Sequence, residues 1–363
     1  MTSKPFADAN FCHVFASGGC PSFLGTGENG LPRCDMASQD YLEGSWQRLQ
    51  KRCRVHTLEE LGQYAYKYKS DCNPFAHLCT PETDICRRKV LKIARFAWHP
   101  SICSLETWNA TKLSARLGRR TVVFAGDSIQ VQQFFSFKAM MQTASTNTSD
   151  PNPDWTHFHT VDGGRFYIAG TQFLVGEGID KVANQTLDVL PDTLWLQQAR
   201  SADILVLNTG HHWHRRDTDF SQYQAMVRNV MQSLKKEFKG SHIIFRTSNW
   251  GHHECQNIAY PLPNVSIALN FMENDPYQWM RPIRSESIWY DMANEAGLSE
   301  KFRFNNASMT LLRGDGHVDQ QHTPAGAPFF DCLHNCMPGV PDFWNWLFFN
   351  TIMSLSLQDP VNM

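Results

Sequence analysis

The chain has 363 residues, a formal net charge of −2 and 42% hydrophobic residues, so it is long enough to bury a large core. Its near-neutral charge provides no basic surface of the kind that nucleic acids require, so we expect no nucleic-acid partner. No apolar run approaches the ~20 residues of a membrane span, and the first residues lack the apolar core of a secretory signal.

The number and positions of the cysteines indicate in which cellular compartment the protein folds. Eight of the eleven lie within the first 103 residues, and no CxxC pair is present, which argues against structural zinc. Disulfides formed in a secretory lumen are the better interpretation. Five Asn-x-Ser/Thr sequons agree with it: Asn109, Asn147, Asn184, Asn264 and Asn306. We therefore expect a loop-rich, disulfide-tied lobe over residues 1–89 and one α/β domain over residues 90–363.

Strands and helices alternate in the predicted pattern of the larger domain. In chain order we expect a strand over 121–125, a helix over 129–141, an extended segment over 165–175, a helix over 193–200, a strand over 203–208, a helix over 220–238, a strand over 242–247, and helices over 283–296 and 343–357. The helix over 129–141 places Ile129, Gln133, Phe137 and Met140 on one face. Such alternation is typical of a parallel sheet covered by helices on both faces.

A Gly-Asp-Ser tripeptide separates the first predicted strand from the first predicted helix. Ser128 therefore lies where a strand ends and a helix begins, which is where open α/β sheets carry their chemistry. The N–H groups of a helix's first turn have no intrahelical partners, so they can stabilise an oxyanion. The alternative is a turn with a helix cap, because Asp and Ser both cap helices well.

A nucleophilic serine needs a base, and the base needs an orienting group. Two Asp-x-x-His pairs near the C-terminus match this need, Asp319 with His322 and Asp331 with His334. Residues i and i+3 lie side by side on a helical turn, so either carboxylate can hold its imidazole toward Ser128. The spacing alone does not choose between the two pairs.

Further polar and aromatic residues follow the predicted strands. Asn208 ends one strand, so its amide can reach the edge that carries Ser128 and donate to an oxyanion, although a plain turn is the alternative. Four loop residues are candidate substrate contacts, with core packing as the alternative: His211, Trp213, Trp250 and Trp344. No HExxH-like spacing accompanies the clustered histidines, so we expect no metal.

Several blocks of the chain resemble the trichome birefringence-like (PC-esterase) family of polysaccharide O-acetyltransferases, within the GDSL/SGNH group. The similar blocks are 98–103, 123–128, 207–211, 245–247 and 331–345. The last block is similar to the family's DxxH block, and it favours Asp331 and His334 over the earlier pair. The chain departs from the family pattern at Val131 and Gln132, where Arg and Asn are usual, and at Asn335, where Trp is usual.

The resemblance implies a GDSL/SGNH-like parallel sheet flanked by helices, and O-acetyl transfer to a glycan hydroxyl through an acyl-serine. Ser128 would attack, His334 would be the base and Asp331 would orient it, while the Ser128 N–H and Asn208 would hold the oxyanion. It implies no bound cofactor, an acetyl donor such as acetyl-CoA or another, and work in the secretory pathway, in the Golgi lumen. The alternatives are a carbohydrate acetyl-esterase and a non-catalytic glycan-binding protein of the same fold.

The cysteines beside the predicted base are expected to pair at a distance. Cys332 and Cys336 are four residues apart, so on a helical segment a mutual bridge is awkward. We expect Cys332 to pair with Cys255, and Cys336 to pair with a cysteine of the N-terminal lobe.

Overall fold

A computed structural model describes residues 12–13, 30–48, 53–54, 93, 96–141, 144–146, 156–175, 187–214, 220–248, 250–273, 287–317, 320–322, 328–337 and 339–357. The predicted boundary between residues 89 and 90 lies outside these ranges, as do most of the predicted lobe, the sequons at Asn147 and Asn184, and Asp319 of the first Asp-x-x-His pair.

The strands of the described ranges are β1 (Cys12–His13), β2 (Gly44–Arg48), β3 (Cys53–Arg54), β4 (Phe96–Pro100), β5 (Thr121–Gly126), β6 (His157–His159), β7 (Arg165–Gly170), β8 (Ile204–Leu207), β9 (His242–Arg246), β10 (Phe302–Asn305), β11 (Gln320–His322) and β12 (Pro328–Phe330). The α-helices are α1 (Ala110–Leu117), α2 (Ser128–Met140), α3 (Leu194–Arg200), α4 (His211–His214), α5 (Phe220–Glu237), α6 (Val265–Glu273), α7 (Ser287–Glu295) and α8 (Val340–Ser354). None of these helices combines the length and apolar character that crossing a bilayer requires.

One six-stranded sheet forms the centre of the fold, in the order β10-β9-β8-β5-β7-β6. All neighbours are parallel except β6, which runs antiparallel to β7 at the edge. The chain passes from β5 to β7 on one side and then returns to β8 on the other side. The order therefore reverses at β5, and open α/β sheets bind ligands outside the carboxyl ends of the strands at such a point. The predicted α/β fold class is confirmed.

Both faces of the sheet are covered, as the sequence predicts. All six residues of β5 are buried, and alternate side chains enter opposite cores. Val122 and Phe124 join one apolar cluster with residues of α1, α2 and α8. Val123 and Ala125 join a second cluster with residues of α3, α5 and α7. The strand that leads to Ser128 is thus fixed from two sides by apolar burial.

Helix α2 is buried over its whole surface and not only on the predicted face. Every residue from Ile129 to Met140 is buried, because α8 packs on α2 in addition to the sheet. The polar residues of α8 secure this packing, since Asn345 Nδ2 donates to the Gln133 carbonyl oxygen at 3.0 Å and to Ser136 Oγ at 2.9 Å. The helix that begins at Ser128 is therefore a core element.

The described part of the predicted lobe packs against the α/β domain. Strand β2 pairs antiparallel with β4, and a disulfide joins Cys34 to Cys103 across 69 residues of sequence. Trp46 Nε1 donates to the Met309 carbonyl oxygen at 2.9 Å, and the buried Tyr41 hydroxyl accepts from the Asn306 N–H at 3.1 Å. These contacts agree with a lobe that depends on the larger domain for burial.

Candidate active site

Ser128 lies at the carboxyl end of the central strand because Gly126 allows the chain to turn there. A Cβ on Gly126 would lie 2.4 Å from the Asn208 carbonyl oxygen, so only glycine lets β5 end this close to the end of β8. Asp127 then caps α2, since its Oδ1 accepts from the Ile129 N–H at 3.0 Å. Ser128 is left as the first residue of the helix, partly exposed above two buried neighbours.

The structure brings Ser128, His334 and Asp331 into one chain of contacts. His334 Nε2 lies 2.7 Å from Ser128 Oγ, and His334 Nδ1 lies 2.8 Å from Asp331 Oδ2. Both distances are within hydrogen-bond range, with Nδ1–H donating to the carboxylate and Nε2 accepting from the hydroxyl. A hydroxyl, an imidazole and a carboxylate in this order can activate the hydroxyl as a nucleophile.

Asp331 is held by a turn of its own loop. Its Oδ1 accepts from the backbone N–H groups of Leu333 at 3.1 Å and His334 at 3.0 Å. Burial raises the pKa of Asp331, but the charge and the hydrogen bonds of His334, together with the Leu333 N–H, outweigh it and lower the pKa to about 2. Asp331 therefore stays ionised near neutral pH, which is the state that can stabilise an imidazolium.

The other Asp-x-x-His pair has a different setting. His322 lies in β11, which pairs antiparallel with β12, while Asp319 lies outside the described residues. The backbone at His322 is a strand and not a helical turn, so the helical-turn argument for this pair does not hold there. The Ser128 hydroxyl contacts the imidazole of His334, which belongs to the second pair.

A disulfide joins the loop of His334 to the segment between β9 and α6. Cys255 and Cys332 are bonded, which confirms the pairing expected for Cys332. The expectation for Cys336 is wrong, because its Sγ is a buried thiol that donates to the His317 carbonyl oxygen at 3.3 Å. The lobe cysteine Cys34 pairs with Cys103 instead.

Removing this disulfide is expected to destabilise the protein. A double variant Cys255→Ser/Cys332→Ser should lower the free energy of unfolding by about 2–5 kcal/mol, because the unfolded chain regains the freedom that the closed loop removes. Urea denaturation followed by circular dichroism measures the change. Cys336→Ser, which removes no disulfide, is the control. Equal stability of the double variant and the wild type would contradict the prediction.

Asn208 follows β8 at the same edge of the sheet as Ser128. It is fully buried, and its Nδ2 donates to the carbonyl oxygens of Arg246 at 3.2 Å and Thr247 at 3.5 Å. These contacts fix the amide between the ends of β8 and β9. A role for Asn208 at an oxyanion stays a prediction.

The side chains expected to contact substrate are buried. Trp213 packs against Phe173, with ring centroids 5.4 Å apart, and Trp344 lies beneath the guanidinium of Arg246 at 4.2 Å. Trp250 and His211 are 1% and 3% exposed. Stacking on a sugar needs an exposed ring face, so we correct the substrate-contact interpretation of the three tryptophans in favour of packing. A substrate contact of His211 stays a prediction.

A buried polar cluster beneath α2 was not predicted from the sequence. Arg246 Nε donates to Gln133 Oε1 at 2.7 Å, and its Nη2 lies 3.3 Å from Gln130 Oε1. Burial raises the pKa of Asp127, and the charges of His212 and Arg246 oppose that rise. The sequence feature that could have predicted this cluster is the set of three glutamines in α2, a helix that is otherwise mostly apolar.

Comparison with known proteins identifies relatives. Residues 105–351, more than half of the chain, match the model of the family described as "PC-Esterase: GDSL/SGNH-like Acyl-Esterase family found in Pmr5 and Cas1p". Protein trichome birefringence-like 35 of Arabidopsis thaliana is 25% identical over 312 residues, which cover 72% of this chain and 67% of that protein. Protein trichome birefringence-like 9 of the same plant is 26% identical over 302 residues, 72% of each chain.

Two solved structures align with part of this chain. A GDSL-like lipase from Parabacteroides merdae covers 64% of this chain and 96% of its own, with 13% identity and a TM-score of 0.36. The carbohydrate acetylesterase Est24 from Sinorhizobium meliloti covers 65% of this chain and 100% of its own, with 9% identity and a TM-score of 0.35.

Proposed function

Because the chain belongs to the PC-esterase family of GDSL/SGNH-like acyl-esterases, we propose that it transfers an acetyl group from a donor to a glycan hydroxyl through an acetyl-Ser128 intermediate. The observation that carries the proposal is the chain of contacts from Ser128 Oγ through His334 to Asp331 at the end of the central strand. The family description and the contacts of Ser128 with His334 both support acyl transfer through a serine.

The first half-reaction forms the acyl-enzyme. Ser128 Oγ attacks the acetyl carbonyl of the donor while His334 Nε2 takes the hydroxyl proton, and Asp331 stabilises the imidazolium that results. The tetrahedral intermediate collapses, the bond from the carbonyl carbon to the donor breaks, and His334 returns the proton to the leaving donor. The donor is acetyl-CoA or another activated acetyl compound, and no bound cofactor takes part.

The oxyanion of that intermediate needs donors in place before it forms. The Ser128 N–H is one of the first-turn donors without an intrahelical partner, so it is available. Asn208 is the proposed second donor. Its contact with the Thr247 carbonyl oxygen, at 3.5 Å, is longer than its contact with the Arg246 carbonyl oxygen, at 3.2 Å, so the contact with Thr247 is the one that an oxyanion would replace.

The second half-reaction distinguishes a transferase from an esterase. In a transferase a glycan hydroxyl gives its proton to His334 and attacks the acetyl carbon, which frees Ser128; in an esterase water does the same. The family description names acyl-esterases, so an acetyl-esterase is the second candidate. We favour the transferase because the resemblance to the trichome birefringence-like family implies O-acetyl transfer. The similarity to one such protein extends over 72% of this chain.

Acetyl partitioning is expected to favour the glycan. With labelled donor and a panel of plant polysaccharides, label should reach the glycan faster than it appears as free acetate, because a positioned hydroxyl can outcompete water at ~55 M. The control is the same reaction without glycan, where only slow release of acetate is expected. Hydrolysis that dominates with every glycan, together with removal of acetyl from acetylated glycans, would replace the transferase by the esterase.

We also propose that the protein works in the lumen of the secretory pathway, in the Golgi. The disulfides of Cys34 with Cys103 and of Cys255 with Cys332 support this, since such bonds persist in oxidising compartments. Asn264, the acceptor residue of one sequon, is exposed, as attachment of a glycan in that compartment requires.

A further inference from the structure

We propose that Gln132 is a positioning residue that ties the loop of the base to the helix of the nucleophile. The inference rests on the proposed function, because it takes His334 as the base of Ser128. In the sequence, Gln132 stands out only as a departure from the family pattern.

Gln132 pairs with the backbone of Asn335 in both directions. Its Nε2 donates to the Asn335 carbonyl oxygen at 2.9 Å, and its Oε1 accepts from the Asn335 N–H at 3.1 Å. Both residues are buried, Gln132 at 0% and Asn335 at 1% exposure. A side-chain amide that both donates and accepts fixes the facing backbone in distance and in orientation, and an apolar side chain would leave two buried polar groups unpaired.

The place of Gln132 on α2 makes this contact relevant to the reaction. Ser128 and Gln132 are separated by four residues, so they lie on the same side of one helix, a single turn apart. Asn335 directly follows His334. One rigid helix therefore carries both the hydroxyl and the group that holds the neighbour of the imidazole, which sets the separation of Ser128 Oγ and His334 Nε2.

The same peptide unit is held from its other end. The N–H that binds Gln132 belongs to the peptide bond between His334 and Asn335, and the carbonyl oxygen of that bond lies 3.1 Å from His317 Nδ1. A carbonyl oxygen only accepts, so His317 donates through Nδ1–H. His252 lies behind His317, with its Nδ1 2.7 Å from His317 Nε2. The peptide is thus fixed between α2 and the segment that carries His317.

These contacts fix the peptide between His334 and Asn335 although the family's usual residues, Asn at position 132 and Trp at position 335, are absent. Asn335 pairs with His317 as an isolated antiparallel bridge, and the Cys336 N–H donates to the Gly316 carbonyl oxygen at 2.8 Å. These bonds hold the loop of His334 to the segment that contains Gly316 and His317, and they do not involve α2. Among the described side chains of α2, Gln132 hydrogen-bonds to the backbone next to His334. We therefore assign to Gln132 the positioning of the base relative to α2.

The test is the rate at which a fluorophosphonate labels Ser128, since labelling needs the serine and its base but neither acetyl donor nor glycan. Gln132→Met keeps the size of the side chain and removes both hydrogen bonds. We expect labelling of the folded protein to slow by about 10- to 100-fold, because a displacement of about 1 Å at the base has an effect of this order. The matched control is Gln198→Met on α3, a partly buried glutamine away from Ser128 and from the loop of His334, and its labelling should stay within about threefold of the wild type.

A second variant keeps the test decisive if Gln132→Met folds poorly. Gln132→Glu has the same shape, and when protonated its carboxyl group both donates and accepts as the amide does, whereas its carboxylate only accepts. Its labelling rate relative to the wild type should therefore rise as the pH is lowered from 8 to 5. A ratio that does not depend on pH, or wild-type labelling by Gln132→Met, overturns the proposal. Failure of the wild type itself to be labelled would instead overturn the proposed function.

Discussion

Replacing Ser128 by alanine is expected to lower acetyl turnover by about 10³-fold or more. The members of such a constellation act as a unit, so the loss of the nucleophile removes most of what His334 and Asp331 contribute as well. Intact-mass analysis after exposure to the donor should show an acetyl adduct on the wild type and none on Ser128→Ala. Steady-state transfer to glycan gives the matching rate.

The control for this variant is the same substitution away from the site. Ser201 lies at the end of α3, where its Oγ donates to the Gln198 carbonyl oxygen at 3.0 Å and is exposed. Ser201→Ala should form the adduct and turn over like the wild type. An adduct that persists in Ser128→Ala would mean that another side chain carries the acetyl group.

Replacing His334 by alanine is expected to abolish turnover as fully as Ser128→Ala does. Without the imidazole the proton of Ser128 Oγ has lost its acceptor, and Asp331 Oδ2 has lost the N–H that faces it. The double variant Ser128→Ala/His334→Ala should be no slower than either single variant, because the two losses remove one shared function. Turnover by the three proteins, measured at equal folded concentration, checks this result.

His322→Ala provides the comparison, since His322 belongs to the other Asp-x-x-His pair and lies in β11. It should spare most of the turnover. Loss of turnover at His322 alone, or an equal loss at both histidines, would show that the base has been placed wrongly. The comparison is informative because both substitutions remove the same side chain from the same C-terminal region.

Much of the fold and part of the candidate site are readable from local sequence. The apolar run that ends at Gly126, followed by the cap Asp127 and then Ser128, indicates a serine between a strand and a helix, and the structure has β5 and α2 there. The helix predicted over 220–238 is present as α5, because its apolar spacing matches a single buried stripe. These features depend on backbone preferences and on periodicity, which a few neighbouring residues set.

Other elements carried weaker local signals. Strand β10 and helix α1 were not predicted, since each is short and takes its stability from the elements on which it packs. The segment predicted as extended over 165–175 is a strand only to Gly170, where pairing with the end of β5 stops. Pairing partners of this kind are distant in the chain, so no local window contains them.

The amino-acid sequence by itself determined that strands and helices alternate in the larger domain, the place of Ser128 and the chemistry available to it. The tertiary structure decided which groups meet and which are buried. Trp213, Trp250 and Trp344 are of the residue type that stacks on sugars, yet each lies in the core because other elements of the fold cover it. Gln132 and Asn335 are 203 residues apart, and their contact exists only because α2 and the loop of His334 are packed together. Periodicity reports how one element faces its surroundings, whereas burial and hydrogen bonding across such separations depend on every element that packs nearby.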